Sequence, residues 1–353
     1  MRRPFCVVLL FSSMVSLAAA DLFEWPVKRE IPRGLIKLID DALWVYSPKE
    51  LQLERLDLSG RSLFKLRLDR VPDLCLDAMN PPCDYVVDAT GTIGLLGACY
   101  DVDTKQPYAY LARFDVSGQF IEQRKIYKFV AVSKAVATAD GRIALLGFDE
   151  EALALERACC RATAPPRKIA LVHLLNSDGT RNSRGALIPA PASREDWKEL
   201  RDCLGQGPFA IDPAGNKFLQ TKPGHLTCVS TSTEIFETPF PPTDQEFQFL
   251  DRVVLSKERG ILVGLLEGRS EVTDDAARAA GASAIVDQEL RICSWEPAGL
   301  QDLRRERVKA ELLGETNDGR LIIARQEEGR IVFSTADLGQ AQTQPTNPTN
   351  GPE

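Results

Sequence analysis

Histidine is nearly absent: the 353 residues contain two, His173 and His225, too few for a three-histidine zinc centre. No two cysteines have CxxC spacing, no Gly-x-Ser-x-Gly elbow offers a serine nucleophile, and no glycine-rich phosphate loop occurs. Cation excess is also missing. With 43 Lys and Arg against 50 Asp and Glu, the formal charge is -7, which gives no net attraction to nucleic acid or anionic membrane. Beyond residue 20 no stretch approaches about twenty apolar residues, so no membrane span is expected. Hydrolysis by a serine triad, nucleotide binding and zinc catalysis therefore have no motif behind them.

What is present begins with Met1 to Ala20. Arg2 and Arg3 form a charged start, Phe5 to Leu17 an apolar middle, and Ala18-Ala19-Ala20 a small-residue cleavage site, which together read as a secretory signal. The expectation is an exported protein, periplasmic or extracellular, with a mature chain from Asp21. Removal of the two arginines moves the formal charge to about -9. At 44% hydrophobic residues the chain can build a full core. The expected division is residues 1–20 signal, 21–338 one domain, and 339–353 a tail that lacks apolar residues and should be disordered.

The organising stretch is Asp84 to Tyr127. Two pairs of strand-like runs flank Ala89-Thr90-Gly91 and Val116-Ser117-Gly118, and each Gly supplies the positive φ that a hairpin requires. The unit recurs with drift over 34–68, 130–189, 209–240, 247–308 and 309–338, where Asp57-Leu58-Ser59-Gly60 matches Asp115-Val116-Ser117-Gly118. Periods of this size indicate solenoids or propellers. The last unit is one strand short, and Leu22 to Glu30 is a strand left over at the other end. Joining the two would remove an open edge.

These turns, with Asp212-Pro213-Ala214-Gly215, resemble six-bladed β-propellers of the NHL-repeat and TolB-like kind. The resemblance implies an all-β fold of six four-stranded antiparallel blades, the last completed by the N-terminal strand. It transfers no catalytic residue.

In such a blade the turns between strands one and two, and three and four, share one face. The other loops and the connectors share the opposite face. Here the first set is tight, and the second holds the length: 69–83, 99–107, 149–167, 190–207 and 267–288. Long loops on one side of a rigid scaffold are where binding usually resides. The candidate binding face accordingly comprises Tyr100, Asp101, Asp103, Tyr108, Trp197 and His225. Eight cysteines remain after cleavage, an even number that favours disulfides in an exported chain. Cys75, Cys83, Cys99, Cys159, Cys160 and Cys203 fall in or beside the long loops and are the disulfide candidates, with Cys75–Cys83 as a local pair. Cys228 and Cys293 suit core thiols. Ser270 to Gln288 has the one helical pattern, capped by Thr273 and stopped by Gly281.

Two function classes follow. The first is a non-enzymatic propeller that binds a protein or an envelope polymer through the loop-rich face. The second is a calcium-dependent, lactonase-like hydrolase at the central channel mouth. There Asp84, Asp251 and Glu311 stand near the starts of inner strands and could offer oxygen ligands to Ca2+. Against the second, cations such as Lys134 are interleaved with these acids, which suits a structural ring of salt links. A quinone-dependent dehydrogenase is a third class. It has in its favour the adjacent Cys159 and Cys160, and against it a chain too short for eight blades.

Overall fold

The computed structural model describes residues 19–26, 35–72, 74, 76, 82–100, 103, 107–126, 129–159, 168–176, 178–212, 214–230, 235–239, 247–255, 261–271, 283–296, 299–307, 310–327 and 330–336. Its strands are β1 (Ala19–Pro26), β2 (Ile36–Ile39), β3 (Ala42–Ser47), β4 (Gln52–Leu56), β5 (Ser62–Arg67), β6 (Asp84–Val87), β7 (Ile93–Tyr100) and β8 (Pro107–Phe114). There follow β9 (Phe120–Lys125), β10 (Phe129–Ala137), β11 (Ile143–Asp149), β12 (Lys168–Leu175), β13 (Arg181–Pro189), β14 (Phe209–Ile211), β15 (Lys217–Lys222) and β16 (His225–Val229). The last are β17 (Ile235–Pro239), β18 (Phe247–Leu255), β19 (Ile261–Glu271), β20 (Ser283–Glu296), β21 (Gly299–Arg307), β22 (Glu311–Glu315), β23 (Leu321–Glu327) and β24 (Arg330–Ala336). Each consecutive set of four from β2 to β21 forms one antiparallel sheet, and β22, β23 and β24 form another whose outer neighbour is β1. The architecture is an all-β propeller of repeated four-stranded sheets.

The alternation of apolar residues explains the stacking of the sheets, because successive strand residues face opposite sides. In β3, Trp44 and Tyr46 join Leu53 and Leu66 against Tyr85, Leu95, Tyr110 and Phe114 of the following sheet. Leu43 and Val45 turn the other way, against Leu313, Ile322 and Phe333 of the last sheet. The pattern continues where Val86 and Leu111 meet Ala135 and Leu145, and where Phe218 and Cys228 meet Val253 and Cys293. Each inner sheet is thus buried on both faces, which is why its strands read as apolar runs.

Seven hairpins among the described residues close on one turn. At 57–61, 88–92, 115–119, 138–142, 176–180, 212–216 and 316–320 the first residue's N–H reaches the fifth residue's carbonyl, and the fourth residue's N–H returns to the first carbonyl. The fourth residue is always Gly, with φ between 80° and 88°, the left-handed position that ends a type I turn in a bulged hairpin. The side chain of the first residue locks the turn. Asp115 accepts from Ser117 N (2.9 Å), Ser117 Oγ (2.6 Å) and Gln119 N (2.9 Å), and Asp57 and Asp88 do the same with their own neighbours. The first hairpin differs. Asp40 (φ 49°) and Asp41 (φ 54°) make a two-residue turn between β2 and β3, of the kind in which both central residues turn left-handed.

Two helices interrupt the strands where long loops were expected. Helix α1 (Glu150–Ala158) follows β11, and Asp149 caps it by accepting from Ala152 N. Helix α2 (Arg194–Gln206) precedes β14 and opens on a capping box in which Ser193 and Asp196 satisfy each other's backbone N–H. The helix expected within Ser270 to Gln288 falls at 273–281, outside the described residues. The flanking residues Ser270–Glu271 and Ser283–Gln288 are not loop, because they extend the paired strands β19 and β20. The expected tail, 339–353, also lies outside the described residues.

Candidate functional site

At the end of the sheets opposite the seven turns, α1 and α2 pack into a cap. Trp197, Leu200 and Leu204 recur at helical spacing on one face of α2 and are buried with Ala152 of α1 and Phe148 of β11. The Phe148 and Trp197 rings lie 5.8 Å apart. Arg201 of α2 holds Glu156 of α1 through its guanidinium. Trp197 is 1% exposed, so its assignment to the binding face is corrected: its ring anchors the cap and offers no surface to a partner.

The other residues of that face fall on two sheets. Tyr108 is the second residue of β8, is half-buried, and has the Lys125 ammonium over its ring at 4.8 Å. Asp103 is exposed in the loop before it. Tyr100 ends β7, opposite Pro107; Asp101 lies outside the described residues. His225 begins β16 in the short turn from β15, and its Nδ1 lies 3.0 Å from the Pro223 carbonyl. Tyr100, Asp103 and Tyr108 thus share the β7–β8 connection of one sheet, and His225 stands at the same end of another.

The disulfide expectation is corrected in part. Cys99 is disulfide-bonded. Cys83, Cys159 and Cys203 are thiols, as are Cys228 and Cys293, while Cys75 and Cys160 lie outside the described residues. The Cys159 thiol donates to the Ala192 carbonyl at 3.4 Å, and Cys203 lies on the buried face of α2. Cys83 presents surface to solvent, yet its thiol is closely surrounded and donates to the Leu96 and Val132 carbonyls. Burial pushes Cys83 and Cys203 up to about 12 and Cys228 up to about 11. At neutral pH all three are protonated and poor nucleophiles.

The inner strands place Asp84 where the sequence suggested, at the start of β6. Its carboxylate is 5% exposed as a residue and fully engaged. Lys37 of β2 pairs with Oδ1 at 2.6 Å, and Oδ1 also accepts from Tyr85 N at 2.8 Å, while Oδ2 accepts from Ala135 N of β10 at 2.7 Å. Lys37 donates further to the Tyr85 carbonyl at 2.6 Å. One acid and one base therefore tie three consecutive sheets together at their inner strands. Next to this knot, Lys134 donates to the Gly207 carbonyl.

This donor set does not suit a calcium ion, which takes six to eight oxygen ligands. Both Asp84 oxygens are committed to N–H and ammonium donors. Glu311 opens β22, half-buried, and the Asp251 side chain is outside the described set. Among the described residues no three His, Cys, Asp or Glu side chains converge on a common point. The site residues that sequence reasoning missed are therefore Lys37 and the Ala135 amide. Lys37 lies in the apolar run Ile36 to Ile39, and a lone cation in an apolar strand was the available signal.

No family model matches the chain, and no curated protein matches it. Solved structures do. A member of the DUF4221 family from Bacteroides vulgatus is similar over 91% of this chain and 97% of its own, with TM-score 0.56 and 10% identity. The Pan2 WD40 domain of Neurospora crassa is similar over 90% of this chain and 95% of its own, with TM-score 0.48 and 8% identity. At such identities the likeness to the Bacteroides structure carries the β-propeller fold alone, and the chemistry of any site has to be argued from this chain's own side chains.

Proposed function

We propose that this chain is an exported, non-enzymatic propeller of six blades that binds a protein or an envelope polymer through the end bearing α1 and α2. The observation that carries the reading is the asymmetry of the two ends. One is closed by minimal turns, and the other gathers the helical cap and the loop around Asp103 and Tyr108. Rigid blades with elaboration on one side suit recognition, and the engaged state of Asp84 leaves the channel mouth a structural role. In this reading β1 is the outer strand of the last blade. After cleavage at Ala20 it would keep Asp21, whose carboxylate accepts from Arg325 and Ser334.

The test uses the protein purified from its native envelope. Its first residue should be Asp21. Cross-linking should capture a partner that Tyr108→Ala and Asp103→Lys both weaken, while Arg61→Glu at the opposite end leaves capture unchanged. Equal capture by all variants would overturn the choice of face.

A further inference from the structure

A second candidate site lies at the opposite end, in the seam between the first two complete sheets. Trp44, Arg55 and Phe64 are direct cross-strand partners on β3, β4 and β5, so they form one row on the face turned towards the next sheet. The Trp44 and Phe64 rings lie 5.9 Å apart, and the Arg55 guanidinium stands 5.6 Å from the Trp44 ring. With Asp40, Val87 and Val116 they line a cavity of about 60 Å³.

Arg55 is one of three described arginines with a buried N–H that no acceptor meets, the others being Arg291 and Arg325, of which Arg325 also pairs with Asp21. The arginines at 61, 67, 113, 124, 142, 201, 320 and 330 each meet a carboxylate. The Arg55 Nε–H is buried and has no acceptor. A buried guanidinium N–H without an acceptor is rare in folded proteins and calls for a partner atom, from water or from a ligand. Asp40 lines the same cavity from an exposed turn position, yet it does not pair with Arg55.

We propose that this seam is a binding subsite for a carboxylate. The guanidinium fork matches that group's two oxygens, and the Trp44 and Phe64 rings flank its methylene. The cavity has room for a carboxyl group with a methylene. The Asp40 charge at the rim disfavours multiply charged anions and can accept an N–H beside the carboxylate. Val116, 66% exposed at the edge, supplies an apolar lip. The acid could arrive on a glutamate or aspartate side chain of a peptide or as a free small carboxylate, and the test separates the two.

The mature protein is labelled with 5-fluorotryptophan, which gives one 19F signal for each tryptophan, and Trp44→Phe assigns the signal at the seam. N-acetylglutamate α-amide should shift the Trp44 signal saturably, with N-acetylglutamine amide at least tenfold weaker. Arg55→Lys should weaken the response at least tenfold while the remaining tryptophan signals stay in place, which shows that the variant is folded. Acetate at least tenfold weaker than the glutamate probe identifies a peptide side chain as the source; equal affinity identifies a free carboxylate. Absence of a saturable Trp44 shift with either carboxylate overturns the proposal. So does a response that Arg55→Lys leaves unchanged, or inorganic phosphate bound more tightly than acetate.

Discussion

At one end of the sheets, seven hairpins among the described residues close on the same five-residue turn, whose two backbone hydrogen bonds are made within those five residues. At the other end, β13 and β14 are joined through the 13-residue α2, whose place depends on a tryptophan seated against β11 and α1. The first end is built from local rules and can be repeated indefinitely. The second is held by contacts between residues far apart in sequence, so each connection is individual. A scaffold that standardises one end is free to vary the other, and stability at the two ends should respond to different kinds of substitution.

The comparison is most easily broken at Trp197. Trp197→Ala removes a ring that is 1% exposed and should cost about 3–5 kcal/mol, read by urea denaturation. Amide exchange should show α1 and α2 losing protection before the hairpins do. A loss below about 1 kcal/mol would mean that the cap is not part of the core.

Glycine substitutions sharpen the comparison at the other end. Gly141→Ala meets nothing within 4 Å at φ 80°, so it measures the backbone penalty alone, about 1 kcal/mol. Gly118→Ala at φ 82° would also bring its Cβ to 2.7 Å from the Phe64 ring, and should cost roughly 1 kcal/mol more. Equal losses in thermal unfolding would show that the seam beneath Phe64 yields freely.

The smallest effect is electrostatic. Hydrogen bonds from Ser59, Ser117 and Thr180 are the first cause holding Asp57, Asp115 and Asp178 below the usual aspartate range. Because the folded values lie below the unfolded one, their stabilisation is present above about pH 4 and is lost as the pH falls through the folded values. Asp115→Asn should lower Tm slightly at pH 7 and converge with the parent in strong acid. A constant difference across that range would assign the turn's contribution to geometry rather than charge.

The two ends also differ in how far the sequence reveals them. Asp115-Val116-Ser117-Gly118 states its turn in four letters, because the Gly must be left-handed and the Asp has its partners within reach. The runs between such turns are short and apolar, which is why the sheet units could be drawn from sequence. The helices also carried signals, Asp149 before two glutamates and Ser193 before Trp197, Leu200 and Leu204. Those signals sat in segments whose length and cysteines suggested irregular loops, so Trp197 read as a recognition residue. Pairing Lys37 with Asp84 needs two sheets placed side by side, and no spacing along the chain expresses that. The orphaned Arg55 is hidden for a similar reason, since a single sequence shows an arginine in a strand and not the absence of its partner.

The pairing of β1 with β24 brings Asp21 beside Ser334, so the first and last strands of the fold lie side by side. During synthesis the sheets from β2 to β21 can each close from hairpins as they emerge, but the remaining sheet must wait for β24. Until then β1 is an unpaired edge in search of a partner, and another copy's β24 would serve as well as its own. The slowest and most concentration-sensitive step of folding should therefore be this joining of the ends.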